Sequence, residues 1–246
     1  MKIINSKDNK TYKFLKSLLQ KKYRKESRLF PVEGSVVLSE IDRDFKYLCM
    51  SKTYYEKLEN KDVKEKVLVF DDNLFKDLCD TQNPQGILAY FDFIEKDAAD
   101  LPDCGKFLYL DDLQDPGNVG TLIRTCDALS MDGLIVSPET VDLYSPKLVR
   151  SSMASLFRLP IYRLDKKSLL KCRKNFKIYA TALHGAKDLR SITFEKNSIL
   201  ILGNEARGVS KDLLEGADEK ISIRMREGVD SLNVAISGGI IIYSML

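Results

Sequence analysis

The chain holds one histidine, His184, and no CxxC pair among its five cysteines, Cys49, Cys79, Cys104, Cys126 and Cys172. A catalytic device of the Ser–His–Asp or Cys–His kind could use only His184, and no nucleophile motif accompanies it. A loop or surface position is the expected role for that residue. The cysteine spacing argues against a zinc site or a redox pair, leaving reduced, buried thiols as the expectation. No apolar run reaches the roughly 20 residues that a membrane helix needs. The opening MKIINSKDNK has no signal-peptide apolar core, so a cytosolic address is expected. Two nucleotide fingerprints are also missing. LYLDDLQDPGNVG has the wrong glycine spacing for Gly-x-Gly-x-x-Gly, and Gly-x-x-x-x-Gly-Lys-Ser/Thr is absent. Both absences disfavour a nicotinamide or nucleoside-triphosphate enzyme.

What is present describes a globular chain. Its 246 residues suffice for one large domain or two modest ones, and its 44% hydrophobic content is enough to build cores. The net charge of +3 is small but unevenly placed. Lys10, Lys13, Lys16, Lys21, Lys22, Arg24, Lys25 and Arg28 crowd the beginning, interleaved with Tyr12, Phe14 and Tyr23. Such a cluster suits a nucleic-acid backbone, and Lys21, Lys22, Arg24, Lys25 and Arg28 are the expected RNA contacts. The competing reading is a solvated amphipathic helix whose Phe14, Leu15, Leu18 and Leu19 face a core.

In chain order, Asp8 is a fair N-cap for a helix running to about Lys22. Strand-like runs at 29–33, 45–50, 67–70 and 86–93 alternate with helical stretches at 36–41, 53–58 and 73–79. This alternation predicts an α/β domain with a largely parallel core, spanning residues 1–93. The charged stretch 94–106, with Pro102 and Gly105, reads as a linker. Residues 107–246 again read as α/β, with about six strands, at 107–110, 133–136, 159–162, 177–183, 199–202 and 221–225.

Three polar loops stand out in this second half. In DDLQDPGNVG, Pro116 and Gly117 make a turn, Asn118 is expected to cap the next helix, and Arg124 lies two turns in. In GNEARGVS, Glu205 sits between glycines where it could accept hydrogen bonds, and Ser210 is placed to cap the next helix. In REGVDSLN, Ser231 or Asp230 is expected to cap the last helix. That helix carries Gly238 and Gly239 in its interior, at about 1 kcal/mol each relative to Ala, which suggests close approach of another backbone. It ends in IIIYSML, an apolar finish that calls for burial in a core or against a second subunit. Loops leaving the ends of neighbouring strands make the usual ligand crevice of an open α/β sheet.

Taken in register, LDDLQDPGNVGTLIRTCDA, ILILGNEARGVS and ISIRMREGVDSLNVAISGGIIIY resemble the SpoU (TrmH) family of RNA 2′-O-ribose methyltransferases, in the SPOUT superfamily. Each piece is weak alone, and the three in family order are specific. The basic first helix, LFPVEGSVVL and NPQGILAYF more loosely resemble the substrate-binding domain often fused before this catalytic domain. The resemblance implies a C-terminal SPOUT α/β domain with a deep trefoil knot, after a smaller L30e-like α/β domain. It implies S-adenosylmethionine as methyl donor, no metal, and a homodimer acting on structured RNA. Ribosomal RNA stands ahead of transfer RNA, and a non-catalytic RNA-binding protein that kept the fold is the rival. By motif position, Asn118, Arg124, Glu205, Ser231 and Asn233 are the implied catalytic set. Thr181, Leu202, Gly203, Asn204, Gly208, Ile223, Met225 and Leu232 are the implied cofactor contacts. The family's usual proton acceptor corresponds to Arg124, although a guanidinium is nearly always protonated. Arg224 stands where the family often has proline.

Overall fold

The computed structural model describes residues 3–58, 67–229 and 231–246. The chain forms two compact units. The first contains residues 1–93 together with 142–154; the second contains 94–141 and 155–246.

The first unit opens with β1 (Ile3–Ile4), α1 (Lys10–Ser17) and α2 (Lys21–Ser27). It continues through β2 (Leu29–Glu33), α3 (Ser35–Ser39), β3 (Tyr47–Ser51), α4 (Lys52–Glu56), β4 (Val67–Phe70), α5 (Asp72–Leu78) and β5 (Ile87–Asp92). The expected first helix is in fact two. Asn9, not Asp8, caps α1, its side chain accepting from the Tyr12 amide. The turn after Ser17 then lets α2 start afresh. The sheet runs β1-β4-β3-β5-β2. It is mixed rather than largely parallel: β4 pairs in parallel with β1 and β3, while β5 pairs antiparallel with β3 and β2. Alternation of strands and helices does not distinguish these cases. Pro31 sits in the edge strand β2, where a missing amide hydrogen is tolerated. Tyr12, Leu15, Leu18, Phe70, Phe75, Leu78 and Tyr90 fill the core.

The second unit contains β6 (Lys106–Asp111), α6 (Pro116–Ala128) and β7 (Gly133–Val136). The chain then makes α7 (Pro146–Ser152), which belongs to the first unit, and returns through α8 (Ser155–Arg158). There follow β8 (Ile161–Arg163), α9 (Lys166–Lys171), β9 (Lys177–Thr181), β10 (Lys187–Asp188), β11 (Ser198–Gly203), α10 (Lys211–Gly216), β12 (Glu219–Ser222) and α11 (Val234–Ser244). The order β10-β12-β9-β11-β6-β7-β8 is parallel at every pairing. The central strands β6, β7 and β11 are almost wholly buried, as their unbroken apolar runs require in a sheet covered on both faces.

Several boundaries differ from the sequence reading. Residues 94–106 carry structure of their own, with a short helical turn at Ala98–Asp100 and a bridge from Lys96 to Tyr162. The last strand stops at Ser222, so Ile223 and Met225 lie in the loop beyond it. Gly238 packs against side chains rather than another backbone. A Cβ there would come within 2.5 Å of Leu122 and 2.7 Å of Leu202, whereas a Cβ on Gly239 would meet only Thr125, at 3.8 Å. Cys49 and Cys126 are buried, but Cys104 is exposed, and all five cysteines are free thiols.

Candidate active site

All strands of the second sheet point the same way, so their carboxyl ends share one edge. There Asp111 of β6 lies beside Gly203 of β11, and Thr181 of β9 beside Ile221 of β12. The loops after these strands are the three singled out in the sequence, together with the one following Thr181.

The first loop becomes helix α6 through Asp115. Its carboxylate accepts the Asn118 amide at 2.8 Å, and Pro116 occupies the first turn, where its missing N–H costs nothing. Asp115 is therefore the cap expected of Asn118. The signal is legible as an acidic residue immediately before a helix-opening proline. Freed from capping, the Asn118 side chain donates to Glu205 Oε1 at 3.2 Å and accepts from Asn233 Nδ2 at 3.0 Å. Asn233, not Ser231, caps α11, its Oδ1 accepting from the amides of Ala235 and Ile236 at 2.9 and 3.3 Å. Asp230 lies outside the described residues. Ser231 is exposed and makes no hydrogen bond among them.

A single chain of hydrogen bonds, Asn233 to Asn118 to Glu205, thus ties together all three loops. Glu205 also receives the backbone amides of Gln114 and Asp115, each at 3.3 Å. Partial burial works against its charge, but these amides, a backbone hydrogen bond within its own loop and the Asn118 donor outweigh it, holding its carboxyl below the ordinary glutamate value of 4.5. Sequence reasoning missed Gln114, whose contribution is a backbone N–H that carries no side-chain signature.

The loop bearing Glu205 folds back on itself. The Gly208 amide donates to the Asn204 carbonyl at 2.8 Å, and Gly208 takes φ +68°. A Cβ on Gly203 would lie 2.0 Å from the Val209 nitrogen, so only glycine fits there. Ser210 precedes α10 without a side-chain capping bond, and its buried hydroxyl oxygen has no partner among the described residues.

Arg124 is on the same helix as Asn118 but is not joined to this network. Six helical residues place it about 9 Å further along and roughly 120° round the axis. It is exposed and has no hydrogen bond or ion pair among the described residues. Of the remaining implied cofactor contacts, the Thr181 hydroxyl donates to the Ile201 carbonyl at 3.1 Å. Leu202 is buried, Ile223 and Met225 are half-buried, and Leu232 is exposed. Arg224 is exposed and shares a groove of about 440 Å3 with Arg190, Ile223 and Ile240. His184 lies in the exposed loop after β9. Among the described residues, no group of three or more His, Cys, Asp or Glu could hold a metal ion.

The basic cluster of the first unit divides. Lys21, Lys22, Lys25 and Arg28 are exposed, and Arg28 lies over the Phe93 ring at 5.3 Å. Arg24 is 3% exposed. Its guanidinium donates to the carbonyls of Leu18 and Leu19 and pairs with Asp142 at 2.6 Å. It is a structural clasp, not an RNA contact. A cation one helical turn from exposed lysines looks the same in sequence whichever way it points.

Residues 105–243 match the SpoU rRNA Methylase family, and residues 9–89 match an MRM3-like substrate binding domain. The chain belongs to the SpoU rRNA methylase family. Over 252 residues it is 31% identical to the 23S rRNA (guanosine(2553)-2′-O)-methyltransferase RlmP of Bacillus subtilis, covering 100% of this chain and 99% of that one. The crystal structure of an AdoMet-bound rRNA methyltransferase from Sinorhizobium meliloti superposes with a TM-score of 0.88 at 31% identity, covering 99% of this chain and 97% of that one. The SpoU methyltransferase AviRb from Streptomyces viridochromogenes, in complex with AdoMet, gives 0.83 at 26% identity, with 96% and 97% covered. This SpoU chain is accordingly an RNA methylase, and the three tied loops lie inside its family-matched region.

Proposed function

We propose that this chain transfers a methyl group from S-adenosylmethionine to a ribose 2′-hydroxyl of structured RNA, and that the RNA is ribosomal. The observation that carries the reading is the Asn233–Asn118–Glu205 chain, which assembles three loops of a SpoU domain at one sheet edge. The named rRNA 2′-O-methyltransferase that matches the chain end to end supports the substrate class.

The carboxyl edge suits the cofactor. The loop 203–210 folds tightly on itself, its Ala206, Arg207, Gly208 and Ser210 amides held by Asn204 and Asp111, and so offers a fixed backbone wall beside Gly203. Half-buried Ile223 and Met225 and exposed Leu232 offer apolar surface for an adenine ring. Thr181, Leu202, Asn204 and Gly208 complete the proposed contacts, Leu202 through its backbone because its side chain is buried. S-adenosylmethionine supplies a sulfonium-bound methyl group, already activated for attack. What the protein adds is placement, because in-line transfer depends on alignment of the attacking oxygen. Asn118 and Asn233 present amide groups that can orient the ribose, and exposed Ser231, two residues before Asn233, is assigned to the same task. Glu205 locks Asn118 in place. Arg124, exposed and without an ion pair among the described residues, is the residue we assign to hold the backbone phosphate of the target nucleotide and to stabilise the alkoxide character that grows on the 2′-oxygen.

The reading extends to assembly. Ile236, Ile240 and Tyr243 are exposed at i, i+4 and i+7 of α11, one face of the helix, with Leu246 exposed just beyond. An apolar stripe of this kind suits a second copy, and we take the chain to be a homodimer. The deep trefoil knot, the L30e-like form of the smaller domain and its role in binding RNA belong to the same proposal. So does a cytoplasmic location; no helix among the described residues is long and apolar enough to cross a membrane.

The test is incubation of the full chain with tritiated-methyl S-adenosylmethionine and purified ribosomal or transfer RNA, followed by mapping of 2′-O-methyl marks. Label in ribosomal RNA at a ribose is expected. Label only in transfer RNA would move the substrate. No calorimetric binding of S-adenosylmethionine at millimolar concentration would sink the enzyme reading and favour a non-catalytic RNA-binding protein.

A further inference from the structure

Beneath the loops lies a second polar cluster that the catalytic reading does not use. Asp111 ends β6 and is 2% exposed. Asp112 follows it with φ +59°, a left-handed conformation that aspartate tolerates better than most residues. Successive side chains of a strand point to opposite faces. The left-handed turn at Asp112 breaks that alternation, and both carboxylates reach one ammonium. Lys166 Nζ lies 3.0 Å from Asp111 Oδ1 and 3.1 Å from Asp112 Oδ2.

Each aspartate grips one end of the loop that carries Glu205. The other oxygen of Asp111 accepts the Ser210 amide at 2.7 Å. The Asp112 carbonyl accepts Asn204 Nδ2 at 2.8 Å and Gln114 Nε2 at 3.0 Å. Asp112 Oδ1 accepts from Ser137 Oγ at 2.6 Å, and Ser137 Oγ in turn accepts the Asp112 amide at 3.0 Å. The loop 204–210 is thus held at its start by Asp112 and at its finish by Asp111. Two adjacent, largely buried carboxylates repel each other unless a cation joins them.

Lys166 also stands where helix electrostatics disfavour it. It is the first residue of α9, the positive end of the helix dipole. A lysine at that position, half-turned inward to a pair of acids, is explained by the acids and not by its helix. Burial works against its charge, but the hydrogen bond to Asp112 and the ion pair with Asp111 hold its pKa above the ordinary lysine value. Asp112 is held below the usual carboxylate range: burial opposes this, and Ser137 and Lys166 outweigh it.

We propose that Lys166 is a positioning residue for methyl transfer, joining Asp111 and Asp112 so that they hold the Glu205 loop closed against Asn118. This rests on the reading of the Asn118–Glu205–Asn233 site given above. Lys166 acts through the two aspartates rather than on substrate or cofactor.

The test compares the full chain with Lys166→Met, Lys166→Arg and the double variant Lys166→Met/Asp112→Asn, with Glu205→Gln as a reference for the site itself. Melting temperature, S-adenosylmethionine affinity by calorimetry, and kcat and KM on ribosomal RNA are measured for each. Lys166→Met is expected to lose about 10- to 100-fold in kcat per folded molecule and to weaken cofactor binding, as small misplacements in such sites do. Lys166→Arg should recover most of the loss, and the double variant part of it, because one carboxylate has been neutralised. Should Lys166→Met fail to fold, the arginine and double variants decide, and folded arginine and double variants as impaired in kcat and affinity as Glu205→Gln would overturn the proposal. So would Lys166→Met within twofold of wild type while Glu205→Gln is impaired. If Glu205→Gln is also unimpaired, the reading of the site falls and Lys166 falls with it.

Discussion

The two sheets are made from strands of similar length and similar apolar content, and they put their charges to different use. In the second unit every pairing is parallel, so the strand ends at Asp111, Thr181, Gly203 and Ser222 share one edge, and their polar loops converge there. In the first unit β5 runs against β2 and β3, so strand ends and their loops are divided between two edges. Among the described residues of the first unit the most buried cation, Arg24, closes a turn and clasps Asp142 instead. Strand direction decides whether polar residues can gather. A parallel sheet gathers polar loops at one edge, whereas in the mixed sheet the exposed charge stays on the helices.

The largest effect that would sharpen this contrast is at Arg124. Arg124→Ala is expected to reduce methyl transfer by about 100- to 10,000-fold, the range typical of a group that assists proton loss or stabilises charge in the transition state. RNA binding in a filter assay should survive. Unchanged turnover would remove Arg124 from the mechanism.

The next largest separates Arg24 from its neighbours. Breaking a buried ion pair strands the remaining charge, so Arg24→Ala should destabilise the protein by about 3–5 kcal/mol. Denaturant unfolding would read this directly. The salt dependence of RNA binding by the protein that remains folded should not change. A stable Arg24→Ala variant with a reduced salt slope would restore it as an RNA contact.

Neutralising Lys21, Lys22 and Lys25 together has the opposite signature. Stability should hold, because all three side chains are in solvent. The slope of log K against log salt should shrink by roughly two to three, one phosphate contact for each lysine. An unchanged slope returns this helix to a solvated face.

The smallest expected effect is on the acid stability that Glu205 confers. Its folded pKa is depressed, so it binds its proton less readily in the folded chain than in the unfolded one. The resulting stability is complete above the ordinary value of 4.5 and is lost as pH falls through the folded pKa below it. Glu205→Gln should therefore melt with a weaker acid dependence below about pH 4.5. Parallel melting curves for variant and wild type across that range would refute the depressed carboxyl.

Much of the second unit is legible in its residues alone. Fully buried parallel strands announce themselves as apolar runs, and β7, at Gly133–Val136, has the bounds read from its residues. The polar loops stand out because glycine, proline and asparagine have little other reason to cluster between such runs. Which asparagine caps and which is free is not legible, since Asn118 and Asn233 are both good cap residues. Only the Asp115–Pro116 start decides that Asn118 is released to bind Glu205.

By itself the sequence determined most of the elements, the three loops and the family they resemble, because local propensity and motif spacing are properties of neighbouring residues. Tertiary structure decided the mixed first sheet, the inward turn of Arg24 and the convergence of Asp111, Asp112 and Lys166. Strand pairing, burial and charge contact depend on residues far apart in the chain, 118 positions in the case of Arg24 and Asp142. No local pattern carries that distance.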